Sequence, residues 1–424
     1  MAKWIITGGA GFIGCHAAAR LHRQGHDVVL VDNLSRRGAD ENLAWLRQQG
    51  VTRFIRADVR DAAQIHEILA QDADADAVLH LAAQVAVSTS VVDPRTDFEI
   101  NALGTFNVLE AVRVAAEARP IILYSSTNKV YGGMESVEVV ERDGRYAYRD
   151  LPQGVDEEQP LDFHSPYGCS KGTGDQYVRD YARIYGLRTV TFRQSCIYGT
   201  RQFGIEDQGW IAWFCAAAAT GQPFSIFGDG KQIRDTLWVD DLVDAYQAAY
   251  ERIDSVSGEV FNIGGGPANT LSLRELVARL GREFGRSLDP AYGDWRPGDQ
   301  RVFVADIGKA GRRLGWKPRV STTEGVGRLI DWVRDNAHLF DRSCPVGARI
   351  TAHPRHPTAG ATAPASRARK RRPEFEPPFD HGHHELGLTS DPPPRSADPW
   401  RFAREDRTRT TCLASPTPRI PKTS

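Results

Sequence analysis

The chain has 424 residues, 41% hydrophobic and 25% charged, with a formal net charge of −1, long enough for two lobes and a well-buried core. It holds no uncharged apolar run of about 18 residues, which argues against a membrane span. The opening Met1–Ile6 runs into a strand-like stretch without the marks of a secretory leader.

In chain order, Lys3–Thr7 predicts a strand, followed by the glycine-rich turn Gly8–Gly14 and a helix to about Gln24. Asp27–Val31 predicts a second strand ending in Asp32. Arg53–Ala57, Ala77–Leu81, Ile121–Ser125 and Leu187–Arg193 follow, with helical patterns between them. Strands alternating with helices imply parallel crossovers and a sheet covered on both faces, an α/β fold of the doubly wound Rossmann type. After residue 195 the alternation loosens. Pro223–Ile226, Val260–Ile263 and the helical Leu271–Phe284 predict a smaller lobe. The expected division is a dinucleotide-binding domain over 1–195, with sheet elements returning later, and a substrate lobe over 196–340.

The last stretch, 341–424, carries 15 Lys/Arg against 9 Asp/Glu and 14 of the 24 prolines. So Pro-rich and charge-mixed a segment cannot offset its ordering entropy, and it predicts a disordered tail. Its basic run Arg367–Arg372 reads as a solvated segment, and His381-Gly382-His383-His384 lacks a supporting ligand framework. Neither nucleic acid, membrane nor metal is expected as a partner. Six scattered cysteines without a Cys-x-x-Cys pair read as reduced thiols in the cytoplasm.

Gly8, Gly11 and Gly14 stand between an apolar strand and a helix, where backbone must approach a diphosphate and helix must pack on sheet. Asp32 ends the next strand. A carboxylate there accepts bonds from ribose hydroxyls and repels a 2′-phosphate, which favours NAD over NADP; Arg36 and Arg37 pull the other way. Asp58-Val59 and Leu81-Ala82-Ala83-Gln84 fall at the carboxyl ends of later strands, the edge where such sheets bind ligands.

Tyr167 and Lys171, four apart at the start of a helical run, project from one face. A phenol titrating near 10 is a poor base at neutral pH, but a nearby ammonium and a cationic nicotinamide ring both favour phenolate. The fifth strand ends in Ser125-Ser126-Thr127, whose last hydroxyl can share the substrate proton. Glycine turn, hydroxyl and Tyr/Lys pair occur in the order such a site needs.

Over about residues 1–335 the chain resembles the extended short-chain dehydrogenase/reductase superfamily, and within it the CDP-paratose (CDP-tyvelose) 2-epimerases. The closer match lies in Asp32-Asn33-Leu34-Ser35-Arg36, in Ser125–Gly132 with Thr127-Asn128-Lys129, and in Leu161–Lys171. Arg201-Gln202-Phe203, Asp207-Gln208-Gly209-Trp210 and Asp299–Asp306 extend it. The resemblance implies an NAD-dependent epimerase inverting C2 of a CDP-dideoxyhexose through a 2-keto sugar. Tyr167 is then the base, Thr127 its partner, and Lys171 the holder of the nicotinamide ribose. It implies NAD contacts from Gly8, Gly11, Phe12, Ile13, Gly14, Asp32, Asn33, Ser35, Arg36, Asp58 and Val59. Leu81, Ala82, Ala83, Gln84, Asn101 and Ser125 complete that set with Tyr167 and Lys171.

The nucleotide sugar would meet Val87, Asn128, Gln194, Gln202, Phe203 and Gln208, with Arg234 and Arg301 on its diphosphate. Relatives pair through helices after Asn101 and around Tyr167, which implies a homo-oligomer. Related 4,6-dehydratases carry Asp-Glu where this chain has Asn128-Lys129, and Asn cannot supply a carboxylic proton. A UDP-sugar 4-epimerase, a redox enzyme with net turnover and a noncatalytic NAD-binding protein remain the alternatives.

Overall fold

The computed structural model describes residues 1–115, 119–296 and 298–340; the tail expected to be disordered lies outside them. Seven strands form the main sheet: β1 Lys3–Thr7, β2 Asp27–Asp32, β3 Phe54–Arg56, β4 Ala77–His80, β5 Ile121–Thr127, β6 Thr189–Gln194 and β7 Glu259–Ile263. Their order is β7-β6-β5-β4-β1-β2-β3, and every pairing is parallel. The sequence dictates this through its apolar runs, since a strand covered on both faces needs apolar side chains at successive positions. Ile6, Leu30, Leu79, Leu123 and Phe192 enter one core, while their neighbours Ile5, Val29, Val78 and Ile122 enter the core on the opposite face.

Helices α1 (Phe12–Arg23) and α2 (Ala39–Gln48) cover the first face. Helices α3 (Ala62–Gln71), α4 (Gly104–Ala115) and α5 (Ser165–Tyr185) cover the second. Strand order reverses between β1 and β4, which opens a crevice at the carboxyl edge of the sheet.

Val260–Ile263, expected in the smaller lobe, is instead β7, the edge strand of the main sheet, with Val260 opposite Thr191. A short apolar run looks alike in either sheet, and its partner sits far back in the chain. The remaining elements form a four-stranded sheet around Ile233–Trp238, flanked by Cys196–Tyr198, Thr270–Ser272 and Val302–Phe303. Helices Trp210–Thr220, Leu273–Glu283 and Thr322–Asp335 pack beside it through Phe214, Leu276, Leu280 and Ile330. The helix expected from Leu271 starts at Leu273, because Ser272 caps it in a reciprocal bond pair with Glu275. The strand expected at Pro223–Ile226 is Ser225–Phe227, paired with Ala291–Gly293. Among the described residues no helix is long and apolar enough to cross a membrane.

Candidate active site

A cavity of about 340 Å³ runs along the carboxyl edge of β1, β2, β4 and β5. Its floor is the glycine turn. Gly8 has φ 68° and its amide donates to the Val31 carbonyl at 2.8 Å; a Cβ there would stand 2.7 Å from the Ala82 amide nitrogen. At Gly14 a Cβ would overlap the Gly8 carbonyl oxygen, so α1 lies against the turn only because both residues are glycine. Helix α1 begins without a side-chain cap, and Phe12, Ile13 and Gly14 of its first turn line the cavity. Such a helix end is a ready seat for a diphosphate.

Asp32 is fixed by two backbone amides, Ala10 at 3.0 Å and Leu34 at 2.8 Å, while burial pushes its pKa up. Asn33 donates to Asp58 at 2.9 Å. The Arg60 guanidinium is the main cause that brings Asp58 down to about 2. A cradle closed to any Cβ, an uncapped helix end and a carboxylate at the tip of β2 together fit a dinucleotide.

Gly11, Asn33, Ser35, Arg36, Asp58, Val59, Leu81, Ala82, Ala83 and Ser125 line the same cavity. Gln84 and Asn101 do not. They are buried behind its wall, where Asn101 Oδ1 accepts from the Gln84 amide at 2.9 Å and Gln84 Nε2 donates to Asp97 at 2.9 Å. Ser170 Oγ donates to Asp97 at 2.5 Å, so the network ties the residues after β4 to α5.

Thr127 ends β5, and Tyr167 and Lys171 occupy the first turns of α5; all three are buried and line the cavity. The Tyr167 amide donates to Ser90 Oγ at 3.1 Å, and the Thr127 hydroxyl accepts from the Lys129 amide at 3.2 Å. Burial dominates and pushes the phenol up to about 12, with Thr127 and the Arg36 guanidinium drawing it down.

The expectation that Lys171 lowers this pKa is not what the geometry gives. Its Nζ donates to the Ser125 carbonyl at 2.5 Å and lies 4.4 Å above the Tyr124 ring. Burial brings the amine down to about 7 against the pull of Asp175 and Asp97.

Of the residues expected to meet the substrate, Gln194, Gln202, Phe203 and Gln208 line the cavity, and Val87, Asn128, Arg234 and Arg301 do not. Val87 opens the short helix Val87–Val92. Asn128 donates to Gln300 Oε1 at 3.2 Å, and Arg234 donates to Asp299 at 2.6 Å. The Arg301 guanidinium lies 5.4 Å from the Tyr146 ring centroid. Asn128, Arg234 and Arg301 gather around the 298–301 strap of the second lobe.

Sequence reasoning gave no site role to four further residues. Lys129 donates to the Gly298 carbonyl at 3.1 Å, and burial, with Arg234 beside it, brings its amine down to about 8. Arg296 stands 3.8 Å over Phe227; its place shortly before the matched Asp299 stretch was the available signal. Arg201 and Cys196 line the cavity although no spacing marks them. Trp210 lines the cavity, whereas Trp213 and Phe214 are core.

Residues 4–264 match the NAD dependent epimerase/dehydratase family. The chain is 46% identical over 337 residues to a CDP-paratose 2-epimerase of Salmonella typhi, covering 78% of this chain and 98% of that protein. The UDP-glucose 4-epimerase of Thermotoga maritima, solved with UDP-glucose, superposes with a TM-score of 0.67 at 32% identity over 79% of this chain and 99% of that one. The Thermus thermophilus UDP-glucose 4-epimerase, solved with NAD, gives 0.65 at 30% identity over 78% and 99%. The chain therefore belongs to the NAD dependent epimerase/dehydratase family, within the extended short-chain dehydrogenase/reductase superfamily, and NAD is its cofactor.

Proposed function

We propose that the protein inverts C2 of a CDP-dideoxyhexose, converting CDP-paratose to CDP-tyvelose through a transient 2-keto sugar. The observation that carries this reading is the convergence of Thr127, Tyr167 and Lys171 on one cavity at the mouth of the glycine turn. The choice of C2 and of CDP leans on the 46% identity to a CDP-paratose 2-epimerase.

Gly8, Gly11, Phe12, Ile13, Gly14 and Asp32 would hold NAD, which supplies the acceptor for the C2 hydrogen and its electron pair and gives them back. The Tyr167 oxygen takes the C2 hydroxyl proton and later returns it, while Thr127 shares that proton and steadies the alkoxide. A phenol pushed to about 12 is too weak an acid for this at neutral pH. One positive charge at about 4 Å and an effective dielectric near 20 is worth roughly 4 kcal/mol, about three pKa units. Deprotonation of Tyr167 is thereby tied to a loaded site. Arg234 and Arg301 suit the substrate diphosphate, because guanidinium forks match phosphate oxygens. With the nucleotide end held, the sugar turns its other face before the hydrogen returns, and no net redox change results. Asn128 and Lys129 offer no carboxylic acid, which speaks against elimination of water. We propose further that the active species is a homo-oligomer.

The test is to incubate the protein with CDP-paratose and follow CDP-tyvelose. Tyr167→Phe is expected to lose a factor on the order of 10² or more in kcat. A 4-epimer formed from UDP-glucose, with no product from CDP-paratose, would replace this reading by a UDP-sugar 4-epimerase.

A further inference from the structure

Residues 200–209 belong by chain order to the substrate half, yet they lie against the loop that follows β2. His16 Nε2 is 3.0 Å from the Thr200 carbonyl oxygen, and Asn42 Nδ2 donates to the Arg201 carbonyl at 3.4 Å. Gly38 has φ 82°, and a Cβ at that position would overlap the Phe203 ring. Arg36 Nη2 donates to Gln208 Oε1 at 3.2 Å, across the cavity mouth. On its other side Phe203 packs on Trp332 and Phe340, with ring centroids 6.3 and 5.5 Å away. Phe203 is thus a peg between the loop after β2 and the end of the second lobe.

Gln202 points to a ligand independently. It is 3% exposed, lines the cavity, and its Oε1 has no hydrogen-bond partner. A buried acceptor left open costs about 1–3 kcal/mol, so this carbonyl suits a donor that arrives with the bound molecule.

We infer that the 200–209 segment is a cover over the adenosine end of the dinucleotide, and that Gln202, Phe203 and Gln208 retain the cofactor rather than contact the sugar. The loop after β2 is where a dinucleotide places its adenosine ribose, and this is the loop that the segment closes. Ribose hydroxyls are donors of the kind the Gln202 carbonyl lacks. Gln208 holds Arg36 over the mouth, and Phe203 sets the height of the cover through Gly38. Retention matches the chemistry: a cofactor regenerated at every turnover gains nothing from leaving. The inference rests on the NAD-dependent reading of the site but not on the identity of the sugar.

The experiment measures NAD carried by the full-length chain through gel filtration, its release rate, and the affinity for CDP by calorimetry. Wild type is compared with Gln208→Ala, Gln202→Leu and Phe203→Leu. Gln208 is half-buried on a loop, so its variant keeps the test alive if Phe203→Leu folds poorly. The expected result is stoichiometric NAD in the wild type, with release at least about ten-fold faster in the variants and CDP affinity unchanged. Release at the wild-type rate in Gln208→Ala and Gln202→Leu overturns the inference, and weakened CDP binding alongside would return the segment to the nucleotide sugar. A wild-type chain that neither carries nor binds NAD overturns the dinucleotide reading itself.

Discussion

Tyr167 and Lys171 stand four residues apart on one helix, and burial moves them in opposite directions. The phenol is pushed up to about 12 and the amine brought down to about 7, because each is driven toward its neutral form. For Lys171 this fixes a pH dependence of stability. In the unfolded chain its amine titrates near 10.5, and in the fold near 7. Between those values the unfolded chain binds more protons, so stability rises with pH across the window, and the cost of burying the ammonium is fully present only below about pH 7. In cofactor-free protein, Lys171→Met is therefore expected to gain more over wild type near pH 6 than near pH 10. The difference between the two should exceed about 2 kcal/mol in urea denaturation. An advantage that does not change with pH would refute the assignment. The residue types and their spacing were legible in the sequence; the protonation states were not. Burial, the Ser125 carbonyl under Lys171 and Arg36 near the phenol all come from distant chain segments.

Two junctions between elements hold the site in shape. At Gly14, α1 rests on the turn with no room for a methyl group. Gly14→Ala is expected to cost about 1–3 kcal/mol by overpacking and to weaken NAD binding as α1 shifts off the cradle. Thermal unfolding and NAD titration check both, and a variant matching wild type in each would remove the cradle from the account. The second junction joins α5 to the strands that carry Thr127 and Gln194. Arg193, 2% exposed, bonds both carboxylate oxygens of Asp175 at 3.0 Å, and Ser126 donates to the same carboxylate at 2.8 Å. Asp175→Ala leaves a guanidinium buried without its counter-charge, which costs about 3–5 kcal/mol. It should also lower kcat more than it changes KM, since Tyr167 and Lys171 ride on α5. Elements such as β1 and β2 were readable because their apolar runs and flanking glycines are local signals. The place of β7 was not: nothing in Val260–Ile263 names β6 as its neighbour. Nor does any local pattern join Arg193 to Asp175, or the 200–209 segment to the loop after β2.

On the face of the molecule opposite α1 and α2, helices α4 and α5 expose large apolar side chains. Phe106, Val114, Tyr177, Ile184 and Tyr185 are all exposed. They are not scattered singly. Phe106 meets Tyr177 edge to face at 5.9 Å, and Tyr181 meets Tyr185 at 4.8 Å, so the rings run along α5 and across to α4. A contiguous apolar patch of this kind marks an association surface more often than a solvated one. Two helices that offer the same face on each copy suit an isologous two-fold contact, in which every residue meets the partner's complementary residue. The contact would also serve the site, because α5 carries Tyr167 and Lys171 near one end and the exposed rings toward the other, and a packed α5 holds both groups still. Sedimentation should therefore show a dimer for the wild-type chain. Ile184→Glu combined with Phe106→Glu should convert it to a monomer that keeps its fold, since neither side chain is core, and loses part of its kcat. A wild-type chain that sediments as a monomer at tens of micromolar refutes the pairing. A dimer untouched by both charges would show that the copies meet through some other face.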